Sequence, residues 1–244
     1  MGSPNLKAYT YGGWAFLLVS LLARGQAASP QEPAPGDVAS VLRQAREEIR
    51  SFEKAGGKRE DTNHPVGKWA EVLWAFRKKS PGAADATKAT SEAIHILIHA
   101  DRFQEAHERA DRVPPNDPAW APMAEVLFEA ASLQKDFGYF FRKLDSVLPG
   151  AADAEVRAAL QLGLGRAWRA QKDPEKAKEA FQAAIKSSWN STWGKQAEAA
   201  LYELLHLSPG QPAPQFSAPA MSGSRISLSD YRGKPVVLVF WSTT

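Results

Sequence analysis

Cysteine is absent from the 244-residue sequence, and charge of neither sign is in clear excess. A chain without a thiol cannot by itself perform thiol chemistry. The 30 basic and 27 acidic residues leave a formal net charge of +3, and residues 1–27 carry two positive charges and no acid. The remainder is therefore almost neutral, and the composition gives no electrostatic argument for binding to nucleic acid or to an anionic membrane.

Sequence patterns that support catalysis are missing as well. There is no Ser-His-Asp ordering, no glycine-rich loop that would cradle a phosphate and no paired carboxylate cluster. His95 and His99 are four residues apart, so they share one helix face and could bind a metal with Glu92 or His107 as a third ligand. Isolated histidine pairs on helices are usually solvated or at the edge of a core. The sequence therefore predicts no catalytic residue, no cofactor site and no metal site in this chain.

The N-terminus has the pattern of an export signal over residues 1–27. Lys7 provides a basic start, residues 14–23 are almost entirely apolar, and Gly25-Gln26-Ala27 is a small-x-small cleavage site. An apolar stretch of about ten residues is short for a bilayer, which needs ~20. We expect a periplasmic or other extracytoplasmic protein without a stable membrane span; an uncleaved anchor is the alternative, because residues 9–13 could lengthen the segment.

A proline-rich linker is predicted for residues 28–37, and the pattern then becomes helical. Asp37 is placed to cap the first helix, whose apolar residues share one face until Gly56-Gly57. A second helix is predicted over residues 65–79 and ends before Pro81.

Further along, helices come in hairpins with a regular period. Turns are predicted at Ala100-Asp101, Lys135-Asp136 and Lys172-Asp173, and their aspartates are 35 and 37 residues apart. This spacing is typical of tetratricopeptide (TPR) repeats. The third hairpin also resembles that motif at its key positions: Leu164, Gly165, Trp168, Ala177, Phe181 and Ala184. We therefore predict a TPR-like α-helical solenoid over residues 38–207, with an irregular helical bundle as the alternative.

Most of the eight tryptophans fall on predicted helices or at a helix connection. Four lie on apolar helix stripes and are expected in the core: Trp69, Trp74, Trp120 and Trp168. Trp189 and Trp193 flank the connection between the last two helices, where they are candidates for contact with a bound peptide or staple the loop.

The last part of the chain changes from helical to strand-like patterning. Gly223 marks a turn, and residues 226–228 alternate apolar and polar as in a half-buried strand. Residues 236–241 form a continuous apolar run that follows Gly233-Lys234-Pro235. Such a run predicts a strand buried on both faces of a sheet, which needs neighbouring strands for its backbone hydrogen bonds.

The blocks APQF and ISLSDYRGKPVVLVFW, within residues 213–241, resemble the opening of the redoxin family. This family has the thioredoxin fold and includes TlpA-like thiol–disulfide oxidoreductases and AhpC/TSA peroxiredoxins. Its opening reads A-P-x-F, then L-x-D-x-x-G-K, an apolar strand and F-W-x-x-W-C-x-x-C. The resemblance implies that residues 208–244 are the N-terminal part of a redoxin domain, with the redox cysteines beyond Thr244.

The predicted fold class is therefore mainly α: a TPR-like helix-hairpin solenoid followed by the first strands of an incomplete thioredoxin-like α/β domain. The resemblance implies a fragment of an exported thiol–disulfide oxidoreductase, whose partners are protein thiol or disulfide clients or a protein bound by the helical domain. A peroxiredoxin is the close alternative, although Phe240-Trp241 favours the reductase because peroxiredoxins usually carry Phe-Tyr-Pro there. A non-enzymatic TPR-like binding module is the second alternative.

Overall fold

The structure is a computed structural model that describes residues 37–59, 61–79 and 84–239. The predicted export signal, the linker before Asp37 and the pair Phe240-Trp241 lie outside the described residues. Within the described ranges, no helix has the length and apolar character needed to cross a membrane.

The described chain is mainly helical. Its α-helices are α1 (Val38–Lys54), α2 (Val66–Lys79), α3 (Ala84–His99), α4 (Phe103–Asp111), α5 (Trp120–Gln134), α6 (Gly138–Val147), α7 (Ala154–Ala170), α8 (Pro174–Ser188) and α9 (Thr192–His206). Two short 3₁₀ helices cover Leu148–Gly150 and Leu228–Tyr231. The strands are β1 (Ser217–Pro219) and β2 (Arg225–Ser227), which pair antiparallel.

The first two helices begin where the sequence predicts. The Asp37 carboxylate accepts a hydrogen bond from the backbone N–H of Ser40 at 2.6 Å, so it caps α1 as expected. The helix ends just before Gly56, whose φ of +91° is readily available to glycine. Helix α2 starts at Val66, directly after Pro65.

Three helix hairpins close through the same type of turn. Asp101, Lys135 and Lys172 all have a left-handed backbone, with φ of 59°, 55° and 62°. In each turn the next residue donates its N–H to a carbonyl five residues earlier: Arg102 to Leu97, Asp136 to Ala131 and Asp173 to Trp168, at 2.9 to 3.0 Å. This is the Schellman arrangement, which satisfies carbonyls at a helix end. The predicted turn positions are confirmed.

The helices enclose three apolar clusters. One lies among α1, α2 and α3 around Leu73, the largest joins α2 through α7 around Trp120, and one lies among α7, α8 and α9 around Phe181. The expected core position of Trp69 and Trp120 is confirmed because both are buried. Trp74 and Trp168 are half-buried and pack against these clusters.

The C-terminal segment forms a small hairpin, in agreement with a mainly α fold that ends in the start of an α/β domain. Ser217 is opposite Ser227 in the register of β1 and β2. The predicted buried strand at 236–241 is wrong for the residues that the structure describes: 236–239 form no strand, and Val237 is 85% exposed. Because β1 and β2 pair only with each other, this run has no strand partner among the described residues.

Candidate functional site

His95 and His99 lie on one face of α3, as their spacing predicts. Their Nε2 atoms approach to 2.8 Å. His95 is half-buried, whereas the His99 side chain is 57% exposed, so one side of the pair is open to solvent.

A carboxylate from the neighbouring hairpin completes this cluster. Glu129 of α5 places Oε2 3.3 Å from Nε2 of His95 and Oε1 3.7 Å from Nε2 of His99. One nitrogen or oxygen atom from each of the three residues therefore lies within 4.8 Å of the other two. We call His95, His99 and Glu129 the α3–α5 cluster.

The two third ligands considered from the sequence are elsewhere. Glu92 lies on the other side of the His95 ring, with Oε2 3.6 Å from Nδ1. His107 of α4 stacks its ring on Tyr139, with centroids 3.7 Å apart. Glu129 was not considered from the sequence, although one signal points to it. It follows His95 by 34 residues, close to the hairpin period, and equivalent positions of successive hairpins lie side by side.

His95 and its two glutamate neighbours shift the pKa values of one another. Hydrogen bonding to Glu129 and to Glu92 raises the pKa of His95 to about 9, and burial opposes this only in part. The same contacts lower the pKa of both glutamates below the ordinary value. Without a bound ion, His95 is therefore an imidazolium between the carboxylates of Glu129 and Glu92 at neutral pH.

The two tryptophans at the α8–α9 connection differ in their surroundings. Trp189 is 71% exposed, so its ring is accessible to a binding partner. Trp193 is half-buried and packs against the cluster around Phe181, which is the staple role considered as the alternative.

In the C-terminal segment, residues of the ISLSDYRGK block hold a short 3₁₀ turn in place. The Asp230 carboxylate accepts the N–H of Ser227 at 2.9 Å, and the Ser227 side chain caps the same 3₁₀ turn in return. Gly233 has a φ of +80°, a conformation that favours glycine. The N–H of Leu228 donates to the carbonyl of Phe216 at 3.1 Å and so ties the two blocks together.

Comparison with known proteins identifies one family for this segment. Residues 209–244 match the model of the AhpC/TSA family. The match includes β1, β2 and the capped turn and none of α1–α9. It supports a redoxin-type relationship for this part of the chain. No curated protein and no solved structure gave a match.

Proposed function

We propose that this chain is part of an exported, TlpA-like thiol–disulfide oxidoreductase in which a TPR-like helical domain recruits a protein partner. The observation that carries the proposal is the AhpC/TSA match of residues 209–244. The hairpin and capped turn in that segment agree with the opening of a redoxin domain.

The chemistry defines what the rest of such a domain must supply. A thiol attacks a disulfide as the thiolate, which is stabilised at a helix N-terminus or in a Cys-x-x-Cys motif. The sequence has no cysteine, so residues 209–244 offer the scaffold without the nucleophile. The proposal therefore requires a parent protein in which a Cys-x-x-Cys follows Thr244.

The repeated hairpins of the helical domain support a role in recruiting a protein partner. Three hairpins share one turn geometry, and stacked hairpins of this kind form extended surfaces that bind proteins. The exposed ring of Trp189 is the candidate contact on this domain. Export rests on the pattern of residues 1–27 and places the protein where disulfide exchange is chemically useful.

The proposal is tested on the protein isolated from its source. We expect a mass above the 26.6 kDa of this chain, and two thiols that react with an alkylating agent only after reduction. We also expect the protein to catalyse the reduction of insulin disulfides by dithiothreitol. A native protein that has no thiol would exclude the oxidoreductase and leave the non-enzymatic binding module.

A peroxidase is the second candidate, and the AhpC/TSA match itself favours it. The same preparation separates the two enzymes. A peroxidase consumes hydrogen peroxide with a thiol reductant and leaves insulin disulfides intact, whereas a disulfide reductase does the opposite. We expect the reductase result because Phe240-Trp241 stand where peroxiredoxins usually have Phe-Tyr-Pro.

A further inference from the structure

We propose that the α3–α5 cluster, His95, His99 and Glu129, binds one divalent transition-metal ion, with Zn²⁺ as the best match. All three residues belong to helices α3 and α5, so metal binding here is independent of the redoxin relationship.

The donor atoms of the three residues lie close together. A tetrahedral zinc ion with ligand bonds of about 2.0–2.1 Å has its ligand atoms about 3.3 Å apart. In the cluster the two Nε2 atoms are 2.8 Å apart, and the two oxygens of Glu129 face them separately, Oε2 at 3.3 Å from His95 and Oε1 at 3.7 Å from His99. With one donor atom taken from each residue, all three lie within 4.8 Å of one another, so rotation of the side chains can bring them around one ion.

The donor atoms are also of the types that bind zinc. Imidazole nitrogen and carboxylate oxygen are both ordinary zinc ligands, and imidazole selects Zn²⁺, Cu²⁺ and Ni²⁺ over Mg²⁺ and Ca²⁺. The Nε2 atoms of both rings and the Glu129 carboxylate form one group of donors, and an ion bound there would take the place of the proton that His95 otherwise carries.

The second ring nitrogen of His95 has a carboxylate partner as well. Metal-binding histidines usually direct their second ring nitrogen at a carboxylate, which fixes the orientation of the ring. Glu92 is in this position, beside Nδ1 and on the side of the ring opposite Glu129. Glu92, which the sequence suggests as a ligand, would thus orient the His95 ring and not bind the ion itself.

The position of the cluster defines what a bound ion would do. His95 and His99 come from α3 and Glu129 from α5, so the ion would cross-link neighbouring hairpins. Three protein ligands leave one tetrahedral position, and the exposed side at His99 opens it to water.

The test is a calorimetric titration of ZnCl₂ into the full chain in a non-chelating buffer. We expect one ion per chain and a melting temperature that rises with Zn²⁺ concentration, because the ion binds only the folded state. Loss of an outer partner typically weakens metal binding about 10–100-fold, so we expect that range for E92Q and a larger loss for H99A and E129Q. The control H206A removes an exposed histidine of α9 and should bind as the wild type does.

A second measurement confirms the ligands directly. Co²⁺ in the same site should give the visible absorption of a tetrahedral ion, and this absorption should be lost in E129Q. The proposal is overturned if the wild type binds no Zn²⁺, which would leave a plain ion-pair cluster. It is equally overturned if H99A and E129Q bind as tightly as the wild type, because the ion would then be held elsewhere. Should H99A fail to fold by circular dichroism, E129Q decides alone.

Discussion

Gly165 and Phe181 approach so closely that a methyl group on Gly165 would lie 2.4 Å from the Phe181 ring. The ring is fully buried between α7 and α8, so it cannot move aside into solvent. This contact explains the glycine and the aromatic at these two positions of the predicted hairpin motif, because a side chain on α7 would hold α8 away.

The first prediction concerns the variant Gly165→Ala. Overpacking a core costs about 1–3 kcal/mol, and alanine gains about 1 kcal/mol of helix propensity over glycine. Because the ring is fully enclosed, we expect the upper end of that cost, and hence a net loss of about 2 kcal/mol in the free energy of unfolding. Urea denaturation measures this difference.

The matched control is Gly163→Ala in the same helix. A methyl group there would be 3.3 Å from Phe140, a contact that a small adjustment relieves, so its stability should stay near that of the wild type. The double variant G165A/F181L should be more stable than the sum of its single changes, because the smaller side chain accommodates the added methyl group. Simple additivity would contradict the proposed clash.

A second prediction is that residues 38–207 fold without the remainder of the chain. Each helix buries its apolar face against a neighbour within this range, so we expect a soluble, mainly helical protein with a cooperative thermal transition. Far-ultraviolet circular dichroism provides the measurement. A version ending at residue 172 is the control: it removes α8 and α9, uncovers Leu162 and should aggregate. A spectrum dominated by strand, or a non-cooperative melt of 38–207, would contradict the prediction.

Local signals in the sequence predicted much of the helical fold. The Asp37 cap and the turns at Asp101, Asp136 and Asp173 depend on residues only a few positions apart, and the structure confirms them. The apolar run after Gly233 failed as a strand prediction for a physical reason: a strand forms only with partners, and a local pattern does not supply them.

The α3–α5 cluster could likewise be predicted only in part from local sequence patterns. The spacing of His95 and His99 reveals their shared face, but their third neighbour depends on which helix packs beside α3. Glu129 belongs to α5, and the sequence indicates its proximity to His95 only through the hairpin period. His107 was a reasonable candidate by spacing, yet its stacking on Tyr139 follows from the packing of α4 against α6.

A third prediction concerns residues 236–239. Val237 and Val239 are 85% and 74% exposed, in an uncharged run of valine and leucine of the kind that promotes aggregation. We expect deletion of residues 210–244 to lower light scattering in concentrated solution. The double variant V237K/V239K keeps the full length and should have the same effect. Equal scattering of all three proteins would show that this run is protected in solution.

The last prediction is a loss of stability in acid that depends on His64. This residue is buried, its Nδ1 accepts the N–H of Val66 at 3.2 Å, and its Nε2 has no hydrogen-bond partner in the structure as described. Burial lowers the pKa of His64 below the ordinary value of 6.5, with Arg102 and Arg59 contributing and Glu53 opposing. Protonation would also place a hydrogen on Nδ1 and remove the acceptor for Val66.

The sign of the effect follows from the direction of that shift. A lowered pKa means that the unfolded chain binds a proton at His64 more readily than the folded protein does. The contribution of neutral His64 to the stability is therefore complete above about pH 6.5 and is lost as the pH falls through the folded-state pKa.

Urea denaturation from neutral pH to about pH 5 should show a steeper loss of stability for the wild type than for His64→Asn. Asparagine keeps an oxygen acceptor for Val66 and does not titrate. His206→Asn, at an exposed histidine, should follow the wild type. If His64→Asn loses as much stability as the wild type over this range, His64 is not the titrating group.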